Sequence, residues 1–159
     1  MLIAVGCDHA GFPLKDHVLK VVRAAGHEVL DCGARSLDPA DDYPDFALAV
    51  ALAVHGGRAE RGIIICGSGV GVTVAANKVP GIRACMCHDT FSARQGVEDD
   101  SMNVLCLGGR VIGPELATDV IRAYLGAKFS VGAERHQRRL AKVKQIEADA
   151  LAGKFGGST

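Results

Sequence analysis

The fold is decided by the stretch Gly62-Ile63-Ile64-Ile65-Cys66-Gly67-Ser68-Gly69-Val70-Gly71. After Gly62, its first half is continuously apolar, a pattern typical of a strand buried on both faces of a parallel sheet. The glycine-rich second half predicts a tight turn that opens a short helix over residues 70–77. The stretch therefore predicts one strand–turn–helix unit of an α/β fold.

The same alternation continues in both directions along the chain. Further strands are predicted at residues 2–5, 27–30, 82–87 and 103–107, and further helices at residues 12–25, 43–55, 90–97, 114–125 and 134–151. Strands separated by helices at this spacing predict a three-layer, Rossmann-like α/β fold with a parallel sheet of about five strands. No strand follows the last helix, so we expect this C-terminal helix to project toward a partner subunit.

Length and composition are those of one ordinary domain. The chain has 159 residues, of which 48% are hydrophobic and 23% charged, so we expect a single domain over residues 1–159 with a flexible tail from about 153. Eighteen Lys and Arg balance eighteen Asp and Glu, which argues against nucleic acid or an anionic membrane as a partner. No apolar run approaches the roughly 20 residues of a membrane span, and no signal peptide is recognised, so we expect a cytoplasmic protein.

Six cysteines raise the question of disulfides or a zinc site. They contain no C-x-x-C pair, and the closest spacing is Cys85-x-Cys87, whose thiols we expect to point to opposite faces of a strand. Most of the six lie in apolar runs, where a free cysteine behaves as a small hydrophobic residue. We therefore expect reduced thiols and no metal site.

Polar residues cluster after several predicted strands, where ligands bind in open α/β sheets. Asp8 and His9 follow the first strand, the turn at residues 67–71 follows the third, and His88-Asp89 follows the fourth, with Glu98-Asp99-Asp100 after the next helix. Polar groups that converge from separate loops are what a site requires. We expect these clusters to lie at one edge of the sheet, although Asp8-His9 can also simply brace a turn.

The glycine-rich turn can aim successive backbone N–H groups at one point and bind an anion, helped by the start of the helix. It matches neither the dinucleotide fingerprint, because position 72 is Val, nor the P-loop, because no Gly-Lys-Ser/Thr follows. A tight turn without a ligand is the alternative.

Cys66 comes directly before this turn. An anion site there would favour the thiolate form of Cys66, which can act as a base or a nucleophile. A buried structural cysteine is the alternative.

The tail carries a possible anion clamp. Arg135 and Arg139 are four residues apart and share one face of the predicted helix. Arginine forks match phosphate oxygens well, but a solvated helix face gives the same pattern.

Matching stretches in the same order over nearly the whole chain carry a resemblance to a known family. They are residues 62–71, 76–84 and 103–105 together with Gly6-Cys7-Asp8-His9-Ala10-Gly11, Asp42-Tyr43-Pro44-Asp45, Gly109-Arg110-Val111-Ile112-Gly113 and Arg135-His136-Gln137-x-Arg139. The chain resembles the type B ribose-5-phosphate isomerase family, which includes galactose-6-phosphate isomerase subunits. The resemblance implies interconversion of an aldose phosphate and a ketose phosphate through an enediolate, without metal or cofactor.

The resemblance also implies a role for each candidate residue. Cys66 is the base that moves a proton between two carbons, and we expect it to be alkylated before the other five thiols. Asp8 and Ser68 contact the sugar, and Asp8 takes part in ring opening. The other implied substrate contacts are Tyr43, Gly67, Gly69, Val70 and Gly71 and the phosphate ligands His9, Arg110, Arg135 and Arg139. The two tail arginines reach the neighbouring subunit's site, which implies a homodimer, with a tetramer of two dimers as the alternative.

One departure from the family concerns Asp99-Asp100, which stands where the family carries His-Asn. The family histidine opens the furanose ring, and an ionised carboxylate can only accept the proton that a histidine both takes and gives. Asp99 is thus a catalytic candidate and Asp100 a substrate contact. Ribose 5-phosphate is the first substrate to test, yet the departure predicts a poor rate with it and favours a tetrose or hexose phosphate. A non-catalytic sugar-phosphate-binding protein is a further alternative, which the intact Cys66 argues against.

Overall fold

The structure, a computed structural model, describes residues 1–156. Within them lie the strands β1 (Leu2–Cys7), β2 (Glu28–Asp31), β3 (Arg61–Cys66), β4 (Ala84–Met86) and β5 (Val104–Gly108). The helices are α1 (Phe12–Ala24), α2 (Tyr43–His55), α3 (Val70–Ala76), α4 (Thr90–Asp100), α5 (Pro114–Gly126) and α6 (Glu134–Leu151). Every predicted element is present, and its ends differ from the prediction by three residues at most.

The strands form one sheet in the order β2-β1-β3-β5-β4, and every pairing is parallel. Helices α2 and α3 cover one face, and α1, α4 and α5 cover the other. On β3, Ile63 and Ile65 pack into the second of these layers, whereas Ile64 packs into the first. The three-layer α/β prediction is therefore confirmed, and the continuous apolar run of β3 is explained by burial on both faces.

The sheet has its topological switch between β1 and β3. The chain leaves β1 through α1 on one face to reach β2, then returns through α2 on the other face to reach β3. The loops that follow β1 and β3 therefore diverge to opposite faces and leave a crevice at the carboxyl edge of the sheet.

The loop after β1 packs closely against the end of β3. A Cβ atom at Gly11 would lie 2.4 Å from the carbonyl oxygen of Ile65, which belongs to the central strand and has no room to move. We expect Gly11→Ala to lower the free energy of unfolding by about 1–3 kcal/mol, measured by urea denaturation. Gly113→Ala is the matched control, because its Cβ meets no atom of residues 1–156 within 4 Å, and we expect a change below about 0.5 kcal/mol. Equal stability of the two variants would contradict this packing.

Helix α6 lies outside the three layers. Of its residues, all of which the structure describes, only His136 is buried. Glu147 Oε1 accepts the N–H of Gly81 at 2.8 Å and ties the helix to the body. After the helix, Lys154 pairs with Asp149 at 2.7 Å, and the N–H of Gly156 donates to the carbonyl of Gly153 at 3.1 Å in a turn. The rest of the predicted flexible tail, residues 157–159, lies outside the described residues. No helix of residues 1–156 has the length and apolar character needed to cross a membrane.

The Cys85 and Cys87 thiols do not diverge, so that prediction is wrong. Residues two apart on a strand share a face, and here the two thiols are hydrogen-bonded to each other. This bond lowers the pKa of the exposed Cys85 to about 7 and raises the pKa of the buried Cys87. All six cysteines, which fall within the described residues, are free thiols.

Candidate active site

A cavity of about 450 Å³ opens at the carboxyl edge of the sheet, at the switch between β1 and β3. Eight of the candidate residues named from the sequence line it together, namely Asp8, His9, Tyr43, Cys66, Gly67, Ser68, Gly71 and Arg110. Ala10 and Val111 add apolar surface. The loops after β1, β3 and β5 thus converge on one concave site, as the fold predicts.

Cys66 is the last residue of β3, and only 5% of its surface is exposed. Its Sγ accepts the backbone N–H of Gly69 at 3.1 Å, and a donor aimed at sulfur stabilises negative charge there. Gly69 has φ of 85°, a left-handed conformation that glycine adopts without strain. Gly69 and Val70 follow Ser68 in the same segment but do not line the cavity. The N–H of Gly69 donates to the Cys66 sulfur, and the N–H of Val70 donates to Ser68 Oγ at 3.3 Å.

Asp8 both braces its loop and faces the cavity, so the two interpretations of this residue hold together. It is 5% exposed, and its Oδ1 accepts the N–H of Gly11 at 2.9 Å. Its backbone N–H donates to the carbonyl of Ile65 at 3.2 Å. These bonds fix the carboxylate close to the end of β3 and hence close to Cys66.

Asp41 is a site residue that the sequence did not single out. Its Oδ1 accepts from the backbone N–H of His9 at 3.0 Å and lies 2.7 Å from His9 Nδ1. Its buried Oδ2 has no hydrogen-bond partner within residues 1–156. This arrangement makes Nδ1 the donor, so it fixes the ring and leaves Nε2 for the cavity. The only signal in the sequence is an Asp-rich loop ahead of Tyr43, which is also what a solvated turn contains.

Asp8, His9 and Asp41 also form the group best suited to hold a cation, with ligand atoms within 4.8 Å of one another. One atom of each residue is engaged, because His9 Nδ1 meets Asp41 Oδ1 and Asp8 Oδ1 accepts from Gly11. A metal ion bound through those atoms would have to replace these hydrogen bonds. The set is therefore built to orient an imidazole and a carboxylate.

Two further contacts shape the walls of the cavity. A Cβ at Gly71 would lie 2.8 Å from Tyr43 Cζ, so the absence of a side chain lets the Tyr43 ring lie directly on the turn. The loop after β5 is joined to the same turn, since the N–H of Arg110 donates to the carbonyl of Gly67 at 3.0 Å. This bond places the Arg110 side chain beside the turn.

The other four candidates lie away from this cavity within one chain. Helix α4 starts at the carboxyl end of β4 and must return to the opposite edge before β5 begins, where Asn103 donates its N–H to Arg83 at 3.1 Å. The expectation that Asp99 and Asp100 share the edge of Cys66 is therefore wrong for a single subunit. A strand as long as β3 separates the two edges by about 20 Å.

Asp99 meets the start of α6 in a small cluster of which only His136 is buried. Its Oδ1 lies 2.9 Å from Nδ1 of His136, a side chain that is almost fully buried. Nε2 of the same ring accepts from Nε of Arg135 at 2.7 Å. Arg139 lies one helical turn further on, and Asp100 lines a separate cavity of about 340 Å³ beside Cys85. The structure thus gathers Arg135, His136 and Asp99 at the edge opposite Cys66.

Comparison with known proteins gives consistent matches. Residues 3–143 match a family model described as Ribose/Galactose Isomerase. The chain is 46% identical over 145 residues to ribose-5-phosphate isomerase B of Escherichia coli (strain K12), covering 91% of this chain and 95% of that protein. It is 44% identical over 133 residues to D-erythrulose-4-phosphate isomerase of Pectobacterium atrosepticum, covering 82% and 86%. The solved structure of ribose-5-phosphate isomerase B from Clostridium thermocellum superposes with a TM-score of 0.89 at 43% identity, covering 94% of this chain and 99% of that one.

Proposed function

Because this chain belongs to the ribose/galactose isomerase family and is an aldose–ketose sugar-phosphate isomerase, we propose that it interconverts ribose 5-phosphate and ribulose 5-phosphate. The observation that carries this proposal is Cys66, whose thiol lies in the cavity at the switch point and accepts the N–H of Gly69. The relatives named ribose-5-phosphate isomerase B support the choice of substrate.

In the proposed mechanism, the Cys66 thiolate takes the proton from C2 of the open-chain aldose and returns it to C1, while the hydroxyl proton passes from O2 to O1. The enediolate that forms in between carries negative charge on oxygen. Gly67 and Gly71 line the cavity, and their backbone N–H groups stabilise that charge as preorganised donors. Asp8 and Ser68 hold the sugar hydroxyls, and Asp8 assists ring opening.

The phosphate is held by residues from two subunits. His9, oriented by Asp41, and Arg110 bind it from the chain that supplies Cys66. Arg135 and Arg139 come from the second copy, and their position at the opposite edge of their own sheet supports this arrangement. The protein is then a homodimer with shared sites. Free thiols and metabolic relatives support a cytoplasmic location.

A tetrose 4-phosphate is the second candidate substrate, and the state of Asp99 favours it. The Asp99 carboxylate is engaged with His136, so it is a poor replacement for a ring-opening histidine. A tetrose 4-phosphate needs no ring opening, because the hydroxyl that would close its furanose is esterified. The relative named D-erythrulose-4-phosphate isomerase supports this alternative.

The test is the specificity constant kcat/KM across aldose phosphates of four, five and six carbons. Because of the relatives named ribose-5-phosphate isomerase B, we expect ribose 5-phosphate to give the highest value, against the poor rate that Asp99 alone predicts. A higher value for erythrose 4-phosphate would replace the first candidate with the second. Failure to isomerise any of these sugar phosphates would refute both.

We expect the isomerase to keep full activity after exhaustive dialysis against EDTA. Asp8 Oδ1, His9 Nδ1 and Asp41 Oδ1 serve hydrogen bonds, and backbone donors with arginines supply the positive charge that the enediolate needs. Metal content is measured in parallel, so that removal is verified. Activity that disappears on dialysis and returns with a divalent ion would contradict this prediction.

A further inference from the structure

Asp99 has a different role in this structure from the one its alignment with a ring-opening histidine suggests. We propose that Asp99 and His136 are positioning residues that set the orientation of the Arg135 guanidinium for binding phosphate. The proposal rests on the proposed function, because the phosphate role of Arg135 belongs to it. Asp99 then acts through His136 and Arg135 and does not touch the sugar.

The direction of each hydrogen bond follows from the chemistry of the groups. Arginine Nε can only donate, so Nε2 of His136 is the acceptor in the 2.7 Å bond from Arg135. A neutral imidazole that accepts at Nε2 carries its proton at Nδ1. Asp99 Oδ1 lies 2.9 Å from Nδ1, within ion-pair distance but outside hydrogen-bond geometry. Arg135 thus donates to His136, and the Nδ1–H of His136 lies beside the Asp99 carboxylate, so the chain of donors ends at this ion-pair contact.

The burial of His136 makes the orientation of its ring depend on Asp99. His136 is 5% exposed, and within residues 1–156 its Nδ1 has only a bent contact with Asp99 to satisfy it. An unsatisfied buried N–H is costly, so the nearby carboxylate favours the ring orientation in which Nδ1–H faces Asp99 and Nε2 faces Arg135. The neighbouring acids do not substitute for it, since Glu98 pairs with Arg94 at 3.0 Å and Asp100 lines a different cavity.

The consequence concerns the free edge of the Arg135 guanidinium. Its Nε is engaged with His136, whereas its Nη atoms make no hydrogen bond within residues 1–156. Those two nitrogens form the fork that matches two phosphate oxygens. Holding the guanidinium through Nε reduces the rotamer freedom that Arg135 must lose when it binds.

Asp99→Ala tests the proposal through the division between binding and turnover. We expect KM for the sugar phosphate and Ki for inorganic phosphate both to rise about tenfold, with kcat within about twofold of the unmodified chain. Asp99→Asn should recover most of that loss, because an amide oxygen also accepts from Nδ1–H. Glu98→Ala is the matched control, and we expect it to leave KM and Ki within about twofold, because it loses only an exposed ion pair.

Opposite results would overturn the proposal. If Asp99 acts on the sugar itself as acid or base, kcat falls about 100-fold in both the Ala and the Asn variants and Ki for inorganic phosphate stays constant. Thermal unfolding of each variant verifies that the fold is intact.

A measurement without substrate separates this proposal from the proposed function. In a chain with ¹⁵N-labelled histidine, NMR should show His136 as the Nδ1–H tautomer, and Asp99→Ala should change its nitrogen shifts. An Nε2–H tautomer in the unmodified protein would refute the chain of donors. Absence of isomerase activity would refute the proposed function, and the tautomer would still decide this inference.

Discussion

Replacing Cys66 with Ala is expected to lower kcat by at least about 100-fold, the usual cost of losing a positioned base. The thiol lines the cavity, and the N–H of Gly69 donates to its sulfur, so alanine leaves no base at this position. The measurement is the steady-state rate on the best substrate of the panel. Cys85→Ala is the matched control, because this thiol lies on β4 outside the site cavity, and we expect it to keep normal activity. Near-normal turnover by Cys66→Ala would reject the assignment.

Alkylation tests the same thiol independently. The structure changes the order in which we expect the cysteines to be alkylated, which the sequence predicted to begin with Cys66. Cys85 is exposed and its pKa is lowered to about 7, whereas Cys66 is 5% exposed. We therefore expect iodoacetamide to modify Cys85 first without loss of activity. Inactivation should follow the slower modification of Cys66 and should be delayed by substrate, as followed by peptide mass spectrometry.

The second large effect concerns sites shared between subunits. Arg135→Ala alone should remove most activity, since it takes a phosphate ligand from the partner's site. Mixed with an inactive Cys66→Ala chain, it should restore about a quarter of normal activity, because half of the dimers are then mixed and each contains one intact site. The measurement is activity after the two purified variants are unfolded together and refolded.

Subunit exchange has to be verified for this test, and affinity tags of two kinds on the two variants allow the mixed dimer to be isolated. A control mixture of Cys66→Ala with Ser68→Ala should not recover, because both residues line the same cavity of one chain. A mixed dimer of Arg135→Ala with Cys66→Ala that stays inactive would place the arginine in the site of its own chain.

The fold was open to prediction because local signals agreed along the whole chain. The continuous apolar run of β3, the glycines that follow it and the helical pattern of Tyr43–His55 each report on neighbours in sequence. Element ends differ where the local signal is weak, as at the end of α4, which continues to Asp100 through a run of acids. Cys85 and Cys87 share a face at β4, contrary to prediction, because the side chains of residues two apart along a strand point to the same side.

The site was only partly open to prediction, because part of it depends on contacts between distant segments. Residues at the ends of β1 and β3 were found, since strand order brings those ends together. Asp41 was missed because its bond to His9 joins a turn to another loop, and nothing in an Asp-rich turn shows which carboxylate is used. Asp99 lies at the other edge because α4 runs back across the sheet before β5, a path that the residues around Asp99 do not signal.

The two outer strands have a consequence for how copies of this protein can meet. Strands β2 and β4 are the two edge strands of the sheet, and they are also its shortest, with four and three residues. A short edge strand offers few unpaired backbone groups to a strand of another molecule. It therefore disfavours edge-to-edge pairing between sheets and the aggregation that such pairing causes. Association between copies therefore falls to side chains on helices and loops, which are specific in a way that backbone pairing is not.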